Sequence, residues 1–210
     1  MAHENTWAEA TEQQILSQAL ILAPVQGWTW PMARAAGGAC GLSVAETGLL
    51  LPHGPADLAA LLSRRHDALA LAGLGDPTAL KIRQRIRAAV EARLDAAAAD
   101  EAAVRRWAGY LALPLNLPLA LRLLWESADG LWRWAGDTAT DENHYTKRLI
   151  LSGILASGLA LRLTASKADT MAFVDSRIEN VMTFERWKAG RQGGSLLSEV
   201  ARALGKLRYG

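Results

Sequence analysis

Catalysis or metal binding in this 210-residue chain would have to be built from four His, one Cys and 21 carboxylates. A di-iron site in a helical bundle needs Glu-x-x-His pairs on facing helices. His3, His53, His66 and His144 each lack a Glu three residues earlier. The single Cys40 excludes a disulfide framework and a cysteine zinc site. Asp137 and Asp141 stand four apart at a predicted helix start, where carboxylates cap and compensate the helix dipole. No glycine-rich phosphate loop and no nucleophile elbow occurs. The pattern offers no catalytic constellation, no metal site and no cofactor motif.

Two other features point to lipid. The segment from Thr146 to Leu163 is apolar nearly all round, yet carries Ser152, Gly153, Ala156, Ser157, Gly158 and Ala160. Small residues on a helix allow close helix contacts, including across a homodimer, or leave volume unfilled. The functional reading is a chamber for a long apolar ligand, bordered by Gly153, Ala156, Ser157 and Ala160 and walled in part by Trp125 and Trp132. The second feature lies beyond the Gly190–Gly194 hinge. There Leu196, Leu197, Val200, Leu204 and Leu207 recur at helical spacing, with Arg202, Lys206 and Arg208 towards the other side. A basic amphipathic helix of this kind lies in an anionic membrane interface; the alternative is a helix folded back onto its own domain.

Composition fixes the elements that must position these residues. Forty Ala and 34 Leu, with few β-branched runs, exclude an all-β fold and predict an all-α chain. The net charge of +2 hides an asymmetry, because no Lys or Arg precedes Arg34 while residues 186–208 carry +5. The uncharged apolar run Leu149–Leu161, bracketed by Arg148 and Arg162, has 13 residues, short of the roughly 20 a membrane span requires. The N-terminus has neither secretory nor presequence character, and the expected location is the cytoplasm, peripheral on the inner face of the cell membrane.

Capping-box spacing at Thr6–Glu9 predicts a first helix running to about Leu22, halted by Pro24. A short segment up to the Gly37-Gly38 break and a helix opened by the Ser43–Glu46 box complete a helix-turn-helix-like three-helix head over 1–52. Further helices are predicted at 55–73, 79–97, about 100–113, from about Leu119, 142–163 and 169–190. Residues 53–190 thus form a helical lipid-binding and dimerisation body, and 191–210 the hinge and amphipathic membrane helix. Leu121, Trp125, Ala128, Trp132 and Ala135 are predicted to share one face, as are Met171, Val174, Ile178 and Val181. A three-helix head on a helical body is the architecture of TetR-type regulators. DNA binding needs cations for phosphate and base edges, and residues 35–63 contain none. The head is therefore read as having lost DNA binding; a regulator with an apolar effector pocket is the alternative.

The run from Trp125 to Arg148, WESADGLWRWAGDTATDENHYTKR, resembles the ubiquinone-biosynthesis accessory family, the ninth of the Coq proteins. Leu80–Arg83 (LKIR), Ala89-Val90, Arg93-Leu94, Leu111–Pro114 (LALP) and Phe173–Met182 (FVDSRIENVM) extend the resemblance over about residues 10–190. It implies a TetR-like homodimer that binds lipids, including isoprenoid quinone intermediates, or phospholipid. It implies no catalysis: such a protein presents the intermediate to a di-iron demethoxyubiquinone-type hydroxylase. The family's partner-binding patch maps onto Asn143, His144, Tyr145, Lys147 and Arg148, with His144 standing where animal members carry Trp. The missing presequence suggests a bacterial member.

Overall fold

The computed structural model describes residues 2–138 and 142–189, with side chains described for 7–138 and 144–180. The described residues are helical, without strands: α1 Ala2–Gln26, α2 Trp30–Ala39, α3 Val44–Leu50, α4 Pro55–Gly73, α5 Ile82–Ala99, α6 Glu101–Leu111, α7 Leu117–Trp134, α8 Glu142–Arg162 and α9 Lys167–Ala189. They fall into two compact units. One comprises Met1–Ala68 and Ala96–Leu123, the other Leu69–Asp95 and the chain from Leu124. The predicted helix at 195–208, with Leu196, Leu197, Val200, Arg202, Leu204, Lys206 and Leu207, lies outside the described residues.

In the first unit, α1 packs against α2 and α6. It does not halt before Pro24. Ala19 and Ala23 are fully buried, and burial overrides the local cost of a proline. The stop is Gly27, at φ 73° with its N–H on the Ala23 carbonyl at 2.9 Å. Gly37 and Gly38, expected as a break, lie inside α2. Gly37 is where α3 approaches: a Cβ there would stand 2.1 Å from Thr47 Oγ1. Thr29 caps α2, its hydroxyl accepting from Met32 N at 3.3 Å. The Ser43–Glu46 capping box forms in both directions, at 3.2 and 2.8 Å. Two buried indoles tie the unit to α4: Trp28 Nε1 donates to the Pro55 carbonyl at 2.7 Å and Trp107 Nε1 to Ala59 at 3.1 Å.

The second unit is built around Ile86, Ala89, Val90 and Leu94 of α5, Ala128 and Leu131 of α7 with Ala135 just after it, Leu151, Ile154 and Leu155 of α8, and Met171, Val174 and Ile178 of α9. The expected α9 face holds at Met171, Val174 and Ile178, and the Val181 side chain lies outside the described ones. α5 itself begins later than predicted, after a 3-10 turn at Pro77–Ala79 capped by Asp76. The α7 face is rotated from expectation. Ala128 and Ala135 are buried, Trp125 and Trp132 are half-buried, and Leu121 is exposed. α8 meets α5 at Gly158, where a Cβ would come within 3.2 Å of Leu94 Cδ1. Ion pairs surround this core: Arg87 with Asp175 at 2.8 Å, Lys167 with Asp95 at 2.6 Å and Glu91 at 3.0 Å, and Arg83 with Glu179.

Candidate functional site

The described part of the motif-bearing run folds as the end of α7, a turn at Ala135-Gly136 and the start of α8. After α7 the chain turns at Gly136, whose φ of 89° is left-handed, a conformation glycine adopts without steric cost. The Gly136 and Asp137 N–H groups return to the carbonyls of Arg133 and Trp132, both at 3.0 Å. Arg85 Nη1 satisfies the Ala135 carbonyl at 2.8 Å. This closure turns the Asp137 carboxylate towards α8.

There it meets two cations. Asp137 Oδ1 receives Lys147 Nζ at 2.5 Å and its Oδ2 receives Arg148 Nη1 at 2.6 Å. Arg148 Nε also donates to Asp129 Oδ1 at 2.8 Å, and Asp129 Oδ2 pairs with Arg133 at 2.9 Å. Arg148 is 1% exposed. A buried guanidinium is tolerable only when charge and hydrogen bonds are met, and two carboxylates and the His144 carbonyl meet them here. Burial works to raise the Asp137 carboxyl, but the Lys147 ammonium and Arg148 guanidinium outweigh it and hold it below the ordinary carboxylate range.

Lys147 has two further roles. Its carbonyl accepts from Trp132 Nε1 at 3.1 Å, and its ammonium lies 5.4 Å from the Trp132 ring centroid, within cation–π range. Trp132 is thus pinned against α8. Beside it, Trp125, His144 and Tyr145 form a ring cluster, with centroids 6.4 Å (Trp125–His144), 6.0 Å (Trp125–Tyr145) and 5.2 Å (His144–Tyr145) apart. All three are half-buried, leaving an aromatic surface over a charged foundation.

Among the sequence-predicted residues, His144, Tyr145, Lys147 and Arg148 come together with both tryptophans; the Asn143 side chain lies outside the described ones. Arg148 does not reach the surface. Its place is beneath the patch, because it shares the inward face of α8 with Leu151, Leu155 and Gly158. Asp137 serves as an ion-pair anchor where the sequence suggested a cap, and Asp129 was missed. The signal was present: a cation three residues before Leu151 on the buried face demands a carboxylate within reach. Gly153, Ala156 and Ala160 lie exposed on the outer face of α8, with open space around Gly153. Ser157 turns its hydroxyl onto the Gly153 carbonyl at 2.7 Å, so that face offers little polarity.

The first unit carries a separate cleft of about 740 Å³. Leu50, Leu51, Ala60, Leu61 and Leu119 supply apolar walls, and Glu12, Asp57, Arg64 and Arg122 the charges. Burial, then Asp57 and Glu9, pushes the Glu12 carboxyl up. Among the described residues, no three His, Cys, Asp or Glu side chains gather to hold a metal. No single described helix is long and apolar enough to cross a membrane.

The COQ9 family model matches residues 117–185, which contain α7, α8 and most of α9. Among curated proteins, the chain is 32% identical over 192 residues to "Ubiquinone biosynthesis protein COQ9-A, mitochondrial" of Xenopus laevis, covering 83% of this chain and 59% of the relative. It is 32% identical over 185 residues to the Rattus norvegicus COQ9 protein of like name, with the same coverage. For the Homo sapiens protein the identity is 29% over 185 residues, with 83% of this chain and 58% of the relative covered. The chain spans 59% of the length of the first of these relatives.

Proposed function

The chain belongs to the COQ9 family, and from that premise we propose that it is a non-catalytic accessory protein of ubiquinone biosynthesis. It holds an isoprenoid quinone intermediate and presents it to a di-iron hydroxylase of the pathway. The observation that carries this reading is the build of the motif-bearing run. Its ionic residues are engaged with one another and support an aromatic surface, an arrangement suited to docking. His144 and Tyr145 face the hydroxylase, with Asn143 and Lys147 beside them, and Arg148 acts from below by holding the carboxylates.

The apolar ligand, quinone intermediate or phospholipid, lies against the outer face of α8 at Gly153, Ala156, Ser157 and Ala160, with Trp125 and Trp132 towards one end. A homodimer closes over that face. The body over 53–190 carries both roles, and the helix at 191–210 holds the protein peripherally on an anionic membrane, the inner face of the cell membrane in a bacterial host. The head over 1–52 keeps a TetR-like arrangement without DNA binding. What supports this is α3, whose exposed positions are Val44, Ala45, Glu46, Gly48 and Leu49.

Mass spectrometry of lipid extracted from protein purified without detergent tests the proposal, with quinone intermediates as the expected content. Phospholipid alone would narrow the ligand, and an empty protein would remove the presenting role and favour the regulator reading. Tyr145→Lys is expected to weaken hydroxylase binding with little change in melting temperature. A large loss of thermal stability would make Tyr145 a packing residue.

A further inference from the structure

Residues 107–121, WAGYLALPLNLPLAL, contain no charged side chain, and six of them are leucines at every second position from Leu111. Arg105 and Arg106 precede the stretch and Arg122 follows it. It forms the turn between α6 and α7, where the chain bends by 91°. Leu111 is buried and Leu119 half-buried, but Leu113, Leu115, Leu117 and Leu121 are 53%, 91%, 48% and 56% exposed. Four large aliphatic side chains held out within nine residues exceed the scattered surface leucines of ordinary proteins.

The backbone of this turn has its polar groups met from within. Asn116 Nδ2 donates to the Tyr110 carbonyl at 2.9 Å, and Asn116 N to the Leu113 carbonyl at 2.9 Å. Leu113 N reaches the Tyr110 carbonyl at 3.3 Å, and Ala112 N the Ala108 carbonyl at 2.9 Å. Pro114 and Pro118 have no N–H to leave unmet. An unmet backbone group is what keeps irregular chain out of hydrocarbon, and this turn has largely removed that obstacle.

We infer that the α6–α7 turn is a membrane-contacting element in its own right: a leucine tip that enters the interfacial hydrocarbon of an anionic bilayer. The flanking charges fit that occupant. Arg105, paired with Glu101 at 2.7 Å, and Arg106, on the Pro24 carbonyl at 3.2 Å, make exposed contacts that lipid phosphate can replace. The leucines can therefore descend while these cations stay at phosphate depth. A protein partner fits less well. Binding hot spots favour Trp, Tyr and Arg in desolvated pockets and under-use leucine, whereas fluid acyl chains accept a row of leucines without a matching surface. The inference does not depend on the C-terminal helix.

The test uses the full chain and mixed phosphatidylcholine–phosphatidylglycerol vesicles. An environment-sensitive fluorophore is placed by Leu115→Cys in a Cys40→Ala background. Its emission is expected to shift to the blue on adding vesicles, and a lipid-borne quencher near the headgroups should reduce it. Leu113→Asp with Leu115→Asp should weaken vesicle partitioning about tenfold, roughly 1.4 kcal/mol, with the melting temperature unchanged. If the protein sediments with vesicles while the fluorophore stays in an aqueous environment, the tip inference fails alone and the C-terminal helix stands. If no vesicle binding occurs at all, both membrane assignments fail. If the double variant keeps full vesicle binding but changes in mass by light scattering, the tip is a contact between copies and the inference is overturned.

Discussion

The two units solve the same problem, burying polar atoms, by different means. The first relies mainly on neutral donors, two buried indoles on backbone carbonyls and a threonine cap, beside a contact of ionisable groups where the buried His66 Nε2 lies 3.0 Å from Asp100 Oδ2. The second uses charge, with the buried Arg148 between two aspartates; the more exposed Lys167 bridges Glu91 and Asp95 at its surface. Neutral hydrogen bonds are worth about 1 kcal/mol each and are largely indifferent to salt and pH. Charge pairs in a partly desolvated setting couple the fold to ionisation, and breaking one strands its partner. The first unit thus rests mainly on contacts indifferent to ionic strength, and the second on a buried ion cluster around Arg148.

The comparison breaks most visibly at Arg148. Arg148→Met leaves Asp129 and Asp137 without their shared guanidinium, and is expected to cost about 3–5 kcal/mol, read by urea denaturation. The aromatic cluster should lose its fixed geometry, seen as loss of near-ultraviolet dichroism. A cost below about 1 kcal/mol would place this pair with exposed salt bridges and remove the contrast between the units.

In the first unit, the largest expected effect is steric. Gly37→Ala puts a methyl where Thr47 sits and should cost about 1–3 kcal/mol, with Thr47→Ala in the same chain recovering part of it. Ser43→Ala is smaller, about 1 kcal/mol through the lost cap, and should be insensitive to salt. Both are measured by denaturant midpoint at low and high ionic strength.

Acid separates the units most subtly. Asp137 is held low by Lys147 and Arg148 against burial, and Glu91 is held low mainly by the hydrogen bond from Lys167. A carboxyl whose folded pKa lies below its unfolded value, about 4, contributes stability above that value and loses it as pH falls through the folded pKa. Glu12 is raised, so its contribution is full below the unfolded pKa and fades as pH rises through the folded one. Glu46 in the first unit is also held low, by its hydrogen bonds with Ser43, but it is exposed and affects only the α3 cap. Lowering the pH from 7 to about 3 should therefore loosen the second unit first. Hydrogen exchange should show protection falling at residues 145–162 before residues 11–26; the reverse order would refute the assignment.

Much of this was legible in the sequence. α4 falls where its hydrophobic pattern places it, and α8 and α9 lie within two residues of theirs, because long amphipathic segments are specified locally. What failed was decided by distant residues. Pro24 fails to stop α1 because Ala19 and Ala23 are buried, and Gly37 lies inside a helix because Thr47, ten positions later, needs the space. The site divides the same way. The cluster of His144, Tyr145, Lys147 and Arg148 follows from a contiguous motif. The pairing of Arg148 with Asp129 spans nineteen residues, and the inward orientation of Arg148 required the phase of α8 relative to its core.

The Gly37–Thr47 interlock has an evolutionary corollary. It fixes the α2–α3 pair from the inside, through one missing side chain and one hydroxyl-bearing one, while Val44, Ala45, Gly48 and Leu49 stay outside the lock. Interior and exterior of the head are thus separately inherited: the outer face of α3 can be rewritten, residue by residue, without disturbing the joint that holds it. A surface detached in this way from the stability of its own scaffold is raw material, free to drift to a new partner.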